Sequence, residues 1–354
     1  MKKSVCIVTW YKVCNFGAFL QAYALKKILE KEGYSVSFYD YDRKLFPYNK
    51  YTIVTRPFST VIRKLFLKPV RRHSNFSNKK QQLFTKEICK HFEIADANKT
   101  YDICLVGSDE IFNIENGFNV FQFEPNVHYI RKISYAASFG ETTLSMLQFY
   151  RLTSMIKKGL LSFDGISVRD DNSKMLTEKL TGSKNVPIHI DPVLLYGFET
   201  ELADMKPLVN SKYLLFYGYD SHRIPVHRIR EIKKFARHKN LKIISAGYYH
   251  NWCDKNIQCT PFEFVNYMRY ANYIITTTFH GSVFSILLNK KFCMFKQNNT
   301  NKVLSLLKQF DCQNALITRT SSIETVLSDH IDCTSLIVNE RNKANHYLGV
   351  FLHE

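Results

Sequence analysis

What is missing from these 354 residues narrows the field first. No apolar run reaches the roughly 18 or more residues of a bilayer-spanning helix. Met1-Lys2-Lys3 leads straight into the strand-like SVCIVTW, with neither the long apolar region nor the small-residue cleavage site of an export signal, so a cytoplasmic chain is expected. The nine cysteines (Cys6, Cys14, Cys89, Cys104, Cys253, Cys259, Cys293, Cys312, Cys333) are scattered singly, odd in number and without a CxxC pair. That argues for reduced thiols and against a disulfide framework or zinc site. The twelve histidines show no HExxH-type or paired ligand spacing, so no obligatory metal is expected. No GxGxxG follows the first strand, so a dinucleotide is not indicated.

Acidic residues are scarce as well: 31 Asp and Glu stand against 49 Lys and Arg, a formal charge of +18. From Arg43 to Lys80 there are eleven basic residues and no acid. Arg63, Lys64, Lys68, Arg71 and Arg72 interleave with Val61, Leu65, Phe66 and Leu67, a basic amphipathic pattern suited to anionic lipid headgroups or a polyanionic glycan. A solvated helix face with a loop accounts for the same run. No helix-turn-helix, zinc-finger or RNP signature accompanies the charge, so nucleic acid is not expected as a partner.

What is present is a chain too large for one ordinary core, 45% hydrophobic, which suggests two domains. SVCIVTW is a first strand, and AFLQAYALKKILEKEG a helix with Leu20, Ala24 and Ile28 on one face and Gly33 as its stop. SVSFYDY, DICLVG, KISYAAS, GISVRD and HIDPVLL continue the first half. KYLLFYG, the helix HRIREIKKFARHKN, LKIISAG and YIITTT repeat the habit in the second. Strands separated by helices argue for parallel sheets covered on both faces, twice over. The expected fold class is α/β with two Rossmann-like lobes. Residues 1–200 form the first, with a basic insertion at about 43–86, and residues 201–354 the second, joined near Tyr196 to Lys212.

In open parallel sheets, ligands bind at the carboxyl ends of the strands, where helix N-termini point outward. After the first strand, Asn15, Phe16 and Gly17 form a turn, with a helix expected from Ala18 and its backbone N–H groups near any bound anion; an ordinary turn explains the same residues. After DICLVG come Ser108, Asp109 and Glu110, for which helix capping competes with acid–base or acceptor-binding roles. Arg169 follows a buried run and suits forked recognition of a phosphate or carboxylate, or a pair with Asp170, Asp171 or Asp191. After YIITT, the turn Phe279-His280-Gly281-Ser282 bends at Gly281 and opens a helix at Ser282 or Val283. It holds an imidazole over the helix's positive end, where it can bind an anion and offer a proton.

The blocks NFGAFLQAYAL, YDICLVGSDEIFN, KISYAASFG, ISVRDD, IDPVLL and TTTFHGSVFS run in this order within Val5 to Phe292, and through them the chain resembles the polysaccharide pyruvyl transferase family. The resemblance implies a GT-B-like architecture with the last helix packing back on the first lobe. It also implies phosphoenolpyruvate as co-substrate, no cofactor, and a sugar diol as acceptor, in a cell-surface polysaccharide such as a capsule or exopolysaccharide or in its lipid-linked precursor. The product is a pyruvate ketal, with phosphate released. Arg169 and His280 are connected with the donor, and Asp109 or Glu110 becomes the candidate base for an acceptor hydroxyl. Asn15, Phe16, Gly17, Ser108, Gly281 and Ser282 are expected to contact substrates. Relatives usually carry Gln and Trp where this chain has Glu110 and Phe112, Glu at Asp170 and often Ser at Thr278; loss of the indole at Phe112 would reshape an acceptor wall. A GT-B-like glycosyltransferase using a nucleotide sugar is the alternative.

The basic stretch and a lipid-linked acceptor together predict attachment to the inner face of an anionic membrane. Each basic side chain near such a surface contributes about 1 kcal/mol, so several suffice for reversible binding. Sedimentation with anionic vesicles should show binding that weakens as salt is raised; binding indifferent to salt, or none, would exclude it.

Overall fold

SVCIV, with all five side chains buried, can lie only between two covered faces, and it is an interior strand of a parallel sheet. The computed structural model describes residues 2–41, 71–115, 117–297 and 301–353. Of the basic stretch, residues 43–70 lie outside the described residues. The first half runs β1 (Ser4–Val8), α1 (Phe16–Lys31), β2 (Ser35–Phe38), α2 (Arg71–His91), β3 (Thr100–Asp109), β4 (His128–Ala137), α3 (Leu144–Phe149), α4 (Thr153–Leu161), α5 (Asp171–Thr181), α6 (Pro192–Tyr196) and α7 (Glu199–Leu202). The second half runs β5 (Tyr213–Tyr217), α8 (Val226–His238), β6 (Lys242–Ala246), β7 (Lys255–Ile257), α9 (Pro261–Tyr270), β8 (Tyr273–Thr276), α10 (Phe279–Leu287), β9 (Phe292–Phe295), α11 (Asn301–Gln309), β10 (Leu316–Ile317), α12 (Ile323–Ser328) and α13 (Thr334–His353).

The strands form two all-parallel sheets, ordered β2-β1-β3-β4 and β10-β9-β8-β5-β6-β7, so the fold is α/β. Beyond β4 the first sheet continues, among the described residues, only as single bridges, Ile133 with Gly165, Ala137 with Val168 and Val168 with Ile188. The expected strands GISVRD and HIDPVLL are thus brief extended contacts. They still deliver Arg169 and Asp191 to the carboxyl end of the sheet, Arg169 N donating to Ala137 O at 3.1 Å.

Helix α1 is buried on every side from Phe16 to Leu25, not along a single stripe, because it lies between the first sheet and α6, α9 and α10. The two halves meet there through aromatic rings: Phe16 stacks on Phe264 of α9 at 4.5 Å between centroids, and Phe264 packs on Tyr217 of β5 at 4.5 Å. Helix α2 adds Phe84, 5.1 Å from Phe16. One turn earlier Lys80 is only 5% exposed, whereas Lys79 beside it is exposed, so this end of the basic stretch is a solvated face with one lysine turned inward. Helix α13 returns to the first sheet, where Tyr347 Oη donates to Ser134 O at 2.8 Å and the Phe351 ring occupies the space over Gly165. Phe112, expected to shape an acceptor wall, is instead fully buried and stacked on Phe123 at 4.7 Å, a core residue of the first half. Among the described residues no helix is long and apolar enough to cross a membrane.

Phe264 is fully buried and joins both halves. Phe264→Ala should lower stability by about 3 to 5 kcal/mol, the usual cost of a large aromatic truncated in a core, read as a shifted midpoint in urea denaturation. A loss below about 1 kcal/mol would show that the seam carries little of the stability.

Candidate active site

The carboxyl ends of β3 and β8 and the bridges beyond β4 bring the site together. β3 runs through Ser108 to Asp109, whose φ of 69° turns the chain, and no helix follows, so the capping role considered for either residue is corrected. Ser108 is fully buried; its hydroxyl accepts from Asp109 N at 2.6 Å and its carbonyl from the Thr9 hydroxyl at 3.0 Å. Those bonds tie both of its oxygens into the fold.

Arg169 is 4% exposed and shared between two carboxylates, donating to Asp191 Oδ2 at 2.8 Å and to Asp109 Oδ1 at 3.0 Å. Its guanidinium also lies over the face of Phe279, 4.4 Å from the centroid. Asp191 is therefore the partner among the three aspartates considered from the sequence. Asp170 is occupied elsewhere, capping α5 by accepting from Ser173 N at 2.8 Å and from the Ser138 hydroxyl at 2.6 Å. Asp191 caps α6 with its other oxygen, accepting from Val193 N at 3.0 Å, with Pro192 in the first turn.

His280 sits in the first turn of α10, which begins at Phe279 and not at Ser282 or Val283, because Thr278 caps it by accepting from Gly281 N at 2.9 Å. Gly281 serves close packing: a Cβ there would fall 2.0 Å from Thr276 Oγ1. Ser282 is fully buried and its hydroxyl bonds Thr278 O, so it too is occupied within the fold. The imidazole Nε2 lies 3.4 Å from Asp191 Oδ2, off the line of a hydrogen bond, and has no hydrogen-bond partner; Arg169 Nε also has none. On the other side the ring meets the start of α1, where a Cβ on Gly17 would fall 2.1 Å from Nδ1.

Helix α1 starts at Phe16, two residues before the expected Ala18, because Asn15 caps it: Oδ1 accepts from Gly17 N and Ala18 N at 2.9 and 3.3 Å. Those amides are consequently not free for an anion. Asn15 Nδ2 donates to Tyr219 Oη at 3.0 Å, and Phe16 is buried in the aromatic seam without reaching the cleft. The structure thus gathers Asp109, Glu110, Arg169, His280, Gly17 and Asn15, and leaves Ser108, Phe16 and Ser282 behind them as support.

Lys302 of α11 was not anticipated. It pairs with Glu110, which also accepts from Asn113 Nδ2 at 2.8 Å, and lies 5.4 Å from the Phe279 centroid. Nothing in its polar surroundings, NNTNKV, marked it out. Burial alone would raise the Asp109 carboxyl, but Arg169, His280 and Lys302 hold it far below the usual carboxylate range. Burial likewise opposes ionisation of Glu110 and Asp191, and is overcome by Lys302 at the first and by His280 and Arg169 at the second, so both are lowered. Among the described residues no group of three His, Cys, Asp or Glu is placed to hold a metal ion.

Because Asp109 and Asp191 are depressed in the folded state, their contribution to stability is complete above the unfolded carboxyl pKa of about 3.9 and is lost as pH falls through the lower folded values. Arg169→Gln strands both charges. It should cost about 3 to 5 kcal/mol near neutral pH, with the gap to the unsubstituted protein narrowing below about pH 4 as the stranded carboxylates protonate. Urea denaturation at the two pH values checks this; a gap that stays constant would place the guanidinium's contribution in packing.

A Listeria monocytogenes structure assigned as a UDP-N-acetylglucosamine 2-epimerase is 10% identical with a TM-score of 0.50, covering 98% of this chain and 91% of its own; it shows the shared two-sheet, GT-B-like fold. The Staphylococcus aureus MnaA–UDP structure is 12% identical over 98% of this chain and 91% of its own, with a TM-score of 0.49. Escherichia coli heptosyltransferase WaaC with ADP-2-deoxy-2-fluoro heptose is 12% identical over 84% and 91%, with a TM-score of 0.40. None of the curated proteins matches the chain significantly. The sequence profile of polysaccharide pyruvyl transferases, however, matches residues 15–299, from the cap of α1 to the approach of α11, and so takes in every residue of the cleft but Lys302. By that match, the chain belongs to the polysaccharide pyruvyl transferase family, and it is a transferase.

Proposed function

We propose that this cleft transfers pyruvate from phosphoenolpyruvate to two hydroxyls of a saccharide, forming a pyruvate ketal and releasing phosphate. The observation that carries the reading is the pair of buried nitrogens without hydrogen-bond partners, Arg169 Nε and His280 Nε2, on side chains that face the same oxygen of Asp191. Buried polar groups are nearly always paired, and an anionic substrate group entering here satisfies both.

The chemistry asks for a proton at C3 of phosphoenolpyruvate, which turns C2 into an oxocarbenium-like electrophile. One acceptor hydroxyl adds to C2 and loses its proton. The C2–O bond to phosphate then breaks, phosphate leaving with the electron pair, and the second hydroxyl adds and loses its proton. One phosphoenolpyruvate and one diol give one ketal and one phosphate. In this scheme His280 delivers the first proton and Arg169 holds the donor's anionic group. Asp109 and Glu110, held low by their cations, are weak bases. A weak base suffices, because a hydroxyl that has added to an oxocarbenium carbon is strongly acidic.

Two permanent cations, Arg169 and Lys302, face three carboxylates, Asp109, Asp191 and Glu110. An anionic donor therefore enters a centre with no surplus positive charge, and its affinity rests on the bonds it makes there. Calorimetric titration should show phosphoenolpyruvate binding to the unsubstituted protein, with His280→Asn as the comparison. In that variant affinity should fall modestly while phosphate release at saturating substrates drops by about 10² to 10⁴. Mass spectrometry of the glycan should show a gain of one pyruvate less one water. Protection from unfolding by a nucleotide sugar and not by phosphoenolpyruvate would instead identify a glycosyltransferase.

A further inference from the structure

Among the described residues, Lys80 is the one cation at the aromatic side of the cleft with no hydrogen-bond or ion-pair partner. Its Nζ lies 3.4 Å from the ring centroid of Tyr248, 5.1 Å from that of Phe16 and 5.6 Å from that of Phe84, and among the described residues it makes no hydrogen bond and no ion pair. Other buried cations are engaged: Arg169 with two carboxylates, Lys302 with Glu110, and Lys132 with Phe123 O and Ser162 Oγ at 2.8 and 2.6 Å. The rings pack the alkyl stem and attract the ammonium through their faces, but they accept no N–H···O bond, so its hydrogen-bond donors stay free for an anion. Burial pushes Lys80 down to about 8, with Cys14, Asp220 and Cys259 the titratable groups that act against it.

The helix that carries Lys80 spans both halves. Phe84 of α2 packs on Phe16 in the first half, and Phe76 O accepts from Gln258 Nε2 of the second at 2.9 Å. From Lys80 a wall of half-buried rings leads back to the Arg169 centre: Tyr248 lies 5.3 Å from Tyr219, and Tyr219 Oη is held by Asn15. Tyr219 is within the field of Lys302, Asp109 and Glu110. Aromatic faces side by side suit the apolar face of a pyranose, and an ammonium with three free donors suits a phosphate as a point charge.

We infer that Lys80 and the Tyr248–Tyr219 wall form the outer part of the acceptor site and select a saccharide that carries a phosphate, the ring on the tyrosines and the phosphate on Lys80. The assignment of an acceptor here rests on the pyruvyl transfer proposed above; the binding itself does not. The test is calorimetric titration, without donor, of glucose, galactose, mannose and N-acetylglucosamine 1-phosphates, of inorganic pyrophosphate and of the methyl glycosides, with phosphoenolpyruvate titrated separately. Lys80→Met keeps the stem in the ring cage and should fold with an unchanged thermal midpoint. It should weaken sugar phosphate and pyrophosphate binding by about ten- to a hundredfold and leave phosphoenolpyruvate affinity unchanged. Tyr248→Leu should weaken sugar phosphates and methyl glycosides alike, and pyrophosphate least. Sugar phosphate binding that survives Lys80→Met, or a wild-type protein that binds neither pyrophosphate nor any of the four sugar phosphates, overturns the inference. So does a loss confined to phosphoenolpyruvate, which would assign Lys80 to the donor. If phosphoenolpyruvate fails to bind the wild-type protein while the sugar phosphate result holds, the proposed reaction fails and this site stands.

Discussion

A guanidinium shut away from water between two carboxylates is the contact on which the cleft's arrangement depends. Removing an ion from water costs several kcal/mol, so Arg169 remains charged and buried only because Asp109 and Asp191 hold it at 3.0 and 2.8 Å. The two acids come from different elements, one from the end of β3 and one from the cap of α6. The pair with Asp109 fixes the strand end against the bridges beyond β4. The pair with Asp191 fixes the start of α6, and the same Asp191 oxygen faces His280 on α10, which follows a strand of the other sheet. Groups from both sheets are thereby placed against one another by a single shared carboxylate.

Such a network tolerates little error in how far apart the two halves sit, and the apolar packing beside it sets that distance. Phe16 on Phe264 fixes the start of α1 against α9, and the next residue, Gly17, lets the helix approach the imidazole so closely that even a methyl group would collide with it. Gly281 does the same between α10 and β8. The polar network decides orientation, and the rings and glycines decide separation. Either alone leaves the imidazole free to turn from Asp191.

Much of the framework was legible in the sequence because strands buried on both faces must be apolar throughout, and in a parallel sheet the residues that follow such strands mark the site. Asp109, Arg169 and His280, singled out by that rule, lie together in the structure. Helix starts were misjudged by two to four residues, since the caps Asn15 and Thr278 precede the apolar pattern and periodicity alone does not reveal them. The partners of Arg169 lie 60 and 22 residues away, and only tertiary structure chooses Asp191 over the adjacent Asp170, which is occupied as a cap. Phe112 misled because the resemblance offered the indole it replaces as part of an acceptor wall, whereas its side chain points into the core. Lys80 misled in the opposite direction, being a charge in a basic run that the fold nevertheless buries.

The charge of the chain and the charge of the cleft do different work. A surplus of +18 sets up a long-range field that draws anions toward the molecule, and salt weakens that attraction. At the Arg169 centre itself the surplus disappears, since each cation is already matched by a carboxylate. Attraction by net charge therefore cannot distinguish one anion from another there; only an anion whose oxygens reach the unpartnered nitrogens of Arg169 and His280 gains bonds that water and the resident carboxylates do not already supply. A monatomic anion offers a single acceptor centre. A planar carboxylate or a phosphate offers several, so in the proposed reaction geometry and not charge is the basis of donor selection, and the fixed position of Asp191 is part of it.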